Sequence, residues 1–232
     1  MNPAPGFVVS GGAGALGRVV VRALLARGGR VAVPYRTSPE WEAFRSSLPD
    51  PRALWGAPAD VADAATAQSF LDEAAAWLGR VDGVAALAGA YASSGPLETA
   101  PVDEWRHMMS ANLGTAYGVC RAALPHLLRN GGSVVTVASR LAESGGAGAA
   151  PYAVSKAAVI ALTRVLAREN QARGVRFNCV VPGAIDTASN RSAMGTTAQL
   201  VPPEAIARVV LFLLSPESAP VTGAVVPVDA GS

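Results

Sequence analysis

Short apolar segments alternate with longer amphipathic ones from Phe7 to Val228, and this alternation restricts the possible folds more than any other feature. The apolar segments predict strands over Phe7–Ser10, Arg30–Val33, Val84–Leu87, Ser133–Ala138, Phe177–Val181 and Ala224–Val228. The amphipathic segments predict helices over Leu16–Arg27, Ala64–Leu78, Val102–Leu128, Tyr152–Arg173 and Pro203–Leu214. Apolar strands separated by helices are typical of parallel β-α-β units, whose sheet is covered on both faces. We therefore predict an α/β fold, a doubly wound parallel sheet flanked by helices, as one domain over residues 1–232.

Composition and charge narrow the class of protein. Half of the residues are hydrophobic and 16% are charged, so a large core can be buried. The net charge is +2 without a basic run, and the apolar stretches are short or interrupted, so we expect neither nucleic acid nor a membrane as a partner. No signal peptide is recognisable, and we expect a cytoplasmic protein. Cys120 and Cys179 are expected to be buried thiols, His107 and His126 surface or capping residues, and no metal site is expected.

The first predicted strand leads directly into a glycine-rich turn and the start of a helix. The turn comprises Ser10, Gly11, Gly12, Ala13, Gly14, Ala15, Leu16 and Gly17. Glycines let the backbone approach an anion closely, and the N-terminus of a helix offers free N–H groups and a positive potential. In this strand–turn–helix context, the turn predicts a cradle for a dinucleotide diphosphate.

The end of the second strand bears on the choice of dinucleotide. An acidic residue there would hold the ribose 2′-hydroxyl of NAD, but Tyr35 fills the position and Arg36 follows. An arginine can pair with the 2′-phosphate of NADP, although a solvated loop arginine is the alternative interpretation. We predict that NADP(H) is preferred and that NAD(H) is possible. Asp60 and Val61 follow a later segment, where Asp60 is either a cofactor contact or a helix N-cap.

Further motifs follow the glycine turn in a set order. They are Asp60-Val61, Ala86-Leu87-Ala88-Gly89, Asn112 inside a helix, Ser139 at a strand end, Tyr152-Ala-Val-Ser-Lys156, and Pro182-Gly183-Ala184-Ile185-Asp186-Thr187. With the turn, they resemble the motifs of the short-chain dehydrogenase/reductase family, and the match covers nearly the whole chain. Ala15 replaces the middle glycine of the family's turn. Ala86 and Leu87 stand where the family has two asparagines, so the central strand must be braced differently.

The resemblance implies a Rossmann-like fold, a nicotinamide cofactor and a catalytic tetrad of Asn112, Ser139, Tyr152 and Lys156. It places the cofactor against the turn, Tyr35, Arg36, Asp60, Val61, Ala88, Gly89, Tyr152, Lys156, Pro182, Gly183, Ile185 and Thr187. Tyr152 and Lys156 lie one helical turn apart, so both point into one cleft, where the ammonium is expected to lower the phenol pKa. Our hypothesis is that Tyr152 exchanges a proton with the substrate oxygen, Ser139 orients that oxygen, and Asn112 positions a water that relays protons to Lys156.

The remaining predictions concern the substrate and the assembly. We expect the substrate wall at Tyr91, Leu141, Glu143, Pro182 and Met194, with the irregular segment 187–201 as a lid. The expected partner is a small carbonyl or alcohol compound. A quinonoid dihydropterin is the alternative, because the glycine turn and segment 186–194 resemble those of dihydropteridine reductase. A non-catalytic NADP(H) sensor is the alternative of another class. The resemblance also implies a homodimer or homotetramer built from helices 102–128 and 152–173.

Overall fold

A seven-stranded, fully parallel sheet forms the centre of the molecule, with the strand order β3-β2-β1-β4-β5-β6-β7. The computed structural model describes residues 4–195 and 197–230. The strands are β1 (Gly6–Ser10), β2 (Arg30–Tyr35), β3 (Leu54–Pro58), β4 (Gly83–Ala86), β5 (Gly132–Val137), β6 (Val175–Pro182) and β7 (Val225–Val228). The predicted doubly wound, Rossmann-like fold is confirmed. The strand order reverses between β1 and β4, which opens a crevice at the carboxyl ends of these strands.

Helices cover both faces of the sheet. They are α1 (Ala15–Ala26), α2 (Ser38–Ser46), α3 (Ala64–Leu78), α4 (Val102–Met108), α5 (Thr115–Asn130), α6 (Leu141–Ser144), α7 (Ala150–Asn170), α8 (Ala188–Met194) and α9 (Pro203–Leu214). Helices α1 and α9 share one core layer with Val9 and Val31, while α3 and α5 share the other with Val8 and Ala32. The side chains of consecutive residues in β1 and β2 therefore pack into opposite core layers, as the two-residue period of a strand requires.

Four segments differ from the predictions. Helix α2 and strand β3 were not predicted. Strand β3 has the sequence Leu-Trp-Gly-Ala-Pro, which lacks the apolar run of a buried strand. Its Gly and Pro are tolerated because β3 lies at the edge of the sheet. The predicted single helix 102–128 is interrupted by a π-helical segment, Met109–Gly114. The segment expected to be irregular after Pro182 contains α8, whose first turn is capped by the Thr187 hydroxyl.

The isolated cysteines and histidines are also placed. Cys120 and Cys179 are buried as expected, and burial raises the pKa of the Cys120 thiol to about 12, so it stays protonated. His107 is exposed. The expectation for His126 is wrong, because its side chain is largely buried between two helices and its Nε2 lies 2.8 Å from Asp72 Oδ1.

One helix, Ala150–Arg173, is long and apolar enough to cross a membrane by length and composition, and 39% of its most apolar stretch is buried. This helix comprises α7 and a short 3-10 turn. It packs along β6 and buries the polar side chains of Lys156, Thr163 and Asn170 against the protein interior. Its buried face is therefore the inner face of an α/β layer, and its outer face exposes Val154 and Val165 beside the charged side chains of Arg164 and Arg168.

Candidate active site

The glycine turn after β1 forms a close cradle at the start of α1. Gly11 has a φ of 70°, and its carbonyl accepts a hydrogen bond from the Gly14 N–H at 3.0 Å. A Cβ atom on Gly17 would lie 2.0 Å from the Gly11 carbonyl oxygen, so only glycine fits there. Helix α1 has no side-chain cap and no acidic residue in its first turn. Its first N–H groups can therefore receive an anion, as the diphosphate of a dinucleotide requires.

A cleft of about 650 Å³ extends from this cradle along the carboxyl edge of the sheet. It brings together most of the cofactor residues predicted from the sequence: Gly11, Gly14, Ala15, Leu16, Gly17, Tyr35, Arg36, Asp60, Val61, Ala88 and Gly89. Ser10 lies beneath the cleft instead, because its side chain is buried and its hydroxyl accepts the Ala88 N–H at 3.4 Å. The size and the backbone-rich lining fit an extended dinucleotide.

The end of the cleft at β2 combines a cation, a carboxylate and an aromatic ring. Arg36 is exposed there, and the Tyr35 ring stacks on Trp41 with centroids 5.1 Å apart. Glu40 also lines the cleft, and its carboxylate accepts the Thr37 hydroxyl at 2.7 Å. Glu40 was not predicted as a cleft residue, although Thr-x-x-Glu at a helix start is the capping-box spacing that indicates a helix such as α2.

Asp60 lies in the loop between β3 and α3. Its carboxylate accepts the Ala62 N–H at 3.0 Å. The N-cap of α3 is Asp63, which accepts the Thr66 N–H at 2.8 Å. The alternative interpretation of Asp60 as a helix cap is therefore wrong, and Asp60 is left at the cleft wall.

The end of β4 is held by hydroxyl groups in place of the asparagines that the chain lacks. Ser10 Oγ accepts the Ala88 N–H, and the Thr115 hydroxyl lies 3.3 Å from the Ala88 carbonyl oxygen. Thr115 also approaches the Ala111 carbonyl at 2.7 Å, within the π-helical segment. Thr115 was not predicted as a site residue, since a threonine inside a helix carries no distinguishing signal.

Asn112 and Lys156 meet at Gly89. A Cβ atom on Gly89 would lie 2.6 Å from Asn112 Oδ1 and 3.0 Å from Lys156 Nζ, which measures how closely the two side chains approach this backbone. Lys156 is only 6% exposed, and its ammonium donates to the Val137 carbonyl at 3.0 Å. Burial lowers the pKa of Lys156 to about 8, because the charged form loses its hydration.

Tyr152 lies on α7 one turn before Lys156, with Ser139 and Tyr91 as neighbours. Burial raises the pKa of the Tyr152 phenol, a hydrogen bond with the Ser139 hydroxyl lowers it to a lesser degree, and the Tyr91 phenol raises it further. The expectation that Lys156 lowers this pKa is therefore wrong in this structure, because the loss of hydration dominates. At neutral pH the phenol is protonated, which is the state that a general acid needs.

The predicted substrate residues are brought together only in part. The ring of Tyr91 meets that of Tyr152 edge-on, with centroids 4.8 Å apart, and Tyr91 is 62% exposed. The Leu141 N–H donates to Ser139 Oγ at 3.3 Å. Glu143 pairs with Arg140 at 2.6 Å. Met194 is exposed at the end of α8.

The Pro-Gly segment after β6 lies at the same carboxyl edge of the sheet. Gly183 donates to the Val228 carbonyl at 3.0 Å, and Ile185 pairs with Val201 in a single β-bridge. The Asn190 side chain donates to the Ile185 carbonyl at 2.8 Å. These contacts tie Pro182 and Gly183 to the last strand, while Thr187 starts α8 above them.

Over residues 4–195 and 197–230, no group of three His, Cys, Asp or Glu side chains could hold a metal ion.

Comparisons with known proteins identify the family of the chain. A family model described as enoyl-(acyl carrier protein) reductase matches residues 11–232. The meso-2,3-butanediol dehydrogenase of Serratia marcescens is 32% identical over 97% of this chain and 93% of its own.

Solved structures of similar proteins show the same fold. A short-chain type dehydrogenase/reductase from Mycobacterium ulcerans has a TM-score of 0.91 and 28% identity, covering 99% of this chain and 90% of its own. A blue fluorescent protein from a metagenomic library, solved with NADPH, has a TM-score of 0.89 and 32% identity, covering 99% and 98%. The chain therefore belongs to the short-chain dehydrogenase/reductase family of nicotinamide-dependent oxidoreductases.

Proposed function

We propose that this protein is an NADP(H)-dependent oxidoreductase that interconverts a carbonyl group and an alcohol of a small molecule, with Tyr152 as general acid and base. The observation that carries the proposal is the placement of Tyr152 and Lys156 on one side of α7. Tyr152 meets Ser139, while Lys156 meets Gly89, which lines the dinucleotide cleft.

The chemistry divides between the cofactor and the side chains. The bound nicotinamide supplies a hydride to the carbonyl carbon in reduction and accepts it in oxidation. The Ser139 hydroxyl orients the carbonyl oxygen, and the Tyr152 phenol donates its proton to that oxygen as the alcohol forms. In oxidation, Tyr152 takes the hydroxyl proton back. Lys156, whose ammonium donates to the Val137 carbonyl, would bind the nicotinamide ribose.

The preference for NADP(H) rests on Arg36. Solved structures with this fold hold NADH, NADPH or NAD⁺, so the fold supports a nicotinamide cofactor and local residues decide between them. Arg36 is exposed at the β2 end of the cleft, where the 2′-phosphate of NADP would lie. Glu40 lines the same end, but its carboxylate is engaged by Thr37.

Two observations support the proposed substrate class: the polar side chains of Ser139 and Tyr152, and the substrates named for related proteins. Ser139 is close enough to Tyr152 to affect its pKa, as a shared contact with a carbonyl oxygen requires. Relatives include dehydrogenases of meso-2,3-butanediol and of cis-4-hydroxycyclohexanecarboxylate. We therefore place a small ketone or secondary alcohol beside Tyr91 and Tyr152.

The test is NADPH oxidation with a panel of small ketones and with quinonoid dihydropterin, comparing the native protein with Tyr152→Phe. We expect ketone-dependent turnover in the native protein and a fall of about 10²–10⁴-fold in kcat for the variant, with NADPH affinity nearly unchanged. Full activity in Tyr152→Phe would remove the phenol from the mechanism. NADPH binding without turnover of any compound would favour a sensor, and turnover of the dihydropterin alone would favour the pterin reductase.

We further propose that the protein forms a homodimer or homotetramer through α5 and α7. Large apolar side chains are exposed on this layer, notably Tyr117 on α5 and Val154 and Val165 on α7. Ala153, Ala157, Ala158 and Ala161 are also at least partly exposed, so they leave room for a second helix to approach α7 closely.

A further inference from the structure

A buried serine connects two of the groups assigned to the reaction. Ser155 precedes Lys156 on α7 and has no exposed surface. Its hydroxyl donates to the Tyr152 carbonyl at 2.7 Å, and its Oγ accepts from Asn112 Nδ2 at 3.0 Å. The serine therefore joins the helix that carries Tyr152 and Lys156 to the π-helical segment that carries Asn112.

The hydrogen bonds allow only one orientation of the Asn112 amide. Its Oδ1 accepts the Ala90 N–H at 3.0 Å, and its Nδ2 donates to the Ala90 carbonyl at 3.1 Å. The second Nδ2 proton goes to Ser155 Oγ, whose own proton goes to the Tyr152 carbonyl. A flipped amide would set Oδ1 against the Ala90 carbonyl and would reverse the contact with Ser155. Asn112 is 1% exposed, so no solvent is at hand to compensate.

The same amide oxygen limits the space around Lys156. Asn112 Oδ1 and Lys156 Nζ both approach the Gly89 backbone, at 2.6 and 3.0 Å from the position of an added Cβ. A shift of the amide therefore changes the polar surroundings of the buried ammonium. Since Ser155 is the contact that ties this amide to α7, its hydroxyl controls how Asn112 and Lys156 are placed relative to each other.

We propose that Ser155 is a positioning residue for the oxidoreductase reaction, acting through the Asn112 amide on Lys156. This inference rests on the proposed function. The competing interpretation is that Ser155 only stabilises α7 by bonding back to a carbonyl of its own helix. Thr163 provides the matched case, because it is equally buried on α7 and donates to the Val159 carbonyl at 2.8 Å, but it contacts Thr136 and no residue of the site.

The experiment compares Ser155→Ala, Ser155→Cys and Thr163→Ala in the full chain. We expect Ser155→Ala to lower kcat for ketone reduction about tenfold to a hundredfold and to shift the pH dependence of kcat, with little change in the KM for NADPH. Ser155→Cys, which keeps the shape with a weaker hydrogen-bonding group, should lie between. Thr163→Ala should lower the unfolding temperature without changing the pH profile. Equal kcat and pH profiles in all four proteins would overturn the inference.

A crystal structure of Ser155→Ala, or of Ser155→Cys if the alanine variant does not fold, adds a readout that does not need activity. We expect the Asn112 amide to leave its contacts with Ala90. An amide that stays in place overturns the inference, whether or not the native protein turns over a ketone. A native protein without turnover would instead defeat the proposed function, so the two failures are distinguishable.

Discussion

Lys156 is an ammonium that folding removes almost completely from water. Its pKa falls from 10.5 to about 8, because burial disfavours the charged form and the neighbouring Cys179 sulfur opposes this only in part. Between pH 8 and 10.5, the unfolded chain therefore holds a proton that the folded chain has released. The free energy of unfolding must rise with pH across this window, by about 3 kcal/mol at most from this group.

The check is urea unfolding of the native protein and of Lys156→Met at several pH values from 8 to 10.5. The methionine variant keeps the apolar stem and lacks the titrating group, so the other ionisable groups cancel in the difference. We expect the native protein to gain stability relative to the variant as the pH rises. A constant difference would mean that Lys156 keeps an ordinary pKa when folded.

Arg36 carries the prediction on the cofactor. A guanidinium bound to a phosphate makes charge-assisted hydrogen bonds, so Arg36→Ala should raise the KM for NADPH about tenfold and leave the KM for NADH nearly unchanged. Arg45→Ala is the matched control, since Arg45 is an exposed arginine of α2 outside the cleft. Steady-state kinetics with both cofactors decide, and an equal effect on NADPH and NADH would refute the assigned role.

The residues that the sequence revealed and those that it concealed differ in kind. Gly17 belongs to the glycine turn, whose pattern predicts a backbone cradle. Lys156 follows Tyr152 by one helical turn, which predicts that the two share a helix face. The roles of Thr115 and Ser155 depend on which segment lies opposite, and that is settled only by the fold. The direction of the Tyr152 pKa shift could not be predicted from the sequence either, since it depends on how deeply the phenol is buried.

At the scale of elements, the apolar pattern located the buried strands and long helices but not the edge of the sheet. Strand β3 pairs on one side only, so Gly56 and Pro58 are tolerated and no apolar run marks it. The π-helical segment is equally invisible to periodicity, because its residues remain helical in character. Its effect is to place Asn112 and Thr115 at the end of β4.

Gly118 shows how one element positions another. It lies inside α5, where alanine is normally about 1 kcal/mol more favourable than glycine. A Cβ here would lie 2.0 Å from the Val61 carbonyl, so α5 approaches the cofactor loop more closely than any side chain allows. We predict that Gly118→Ala lowers the free energy of unfolding by about 1–3 kcal/mol and weakens NADPH binding by displacing Val61.

Gly114→Ala provides the control for Gly118→Ala. The nearest atom to an added Cβ on Gly114 is 3.6 Å away, so this substitution should be neutral or slightly stabilising. Urea unfolding and NADPH titration of both variants test the pair. If Gly118→Ala were as stable as Gly114→Ala, the close approach of α5 to the loop would not constrain the protein.

At the scale of the whole molecule, the two helical layers differ in what they leave exposed. Helix α7 buries Lys156 and Thr163 inward, and it turns Val154 and Val165 outward. Exposed apolar side chains grouped on one helix support the proposed contact with a second copy of the chain. Tyr117 on the neighbouring α5 is also exposed, so we propose that the contact between copies spans both helices.

We expect the proposed assembly to be sensitive to one charge. Val165 is 51% exposed, so Val165→Glu should leave the fold intact while setting two carboxylates against each other in a symmetric contact, and the species seen by light scattering should become smaller. Phe212→Glu is the control, because Phe212 is 44% exposed on α9 in the opposite layer. An unchanged mass for Val165→Glu, or an equal loss of mass for Phe212→Glu, would contradict an interface built from α5 and α7. Since Lys156 lies on the inner side of the same helix, dissociation that also lowers kcat would show that the second copy helps to hold α7, and with it the site, in place.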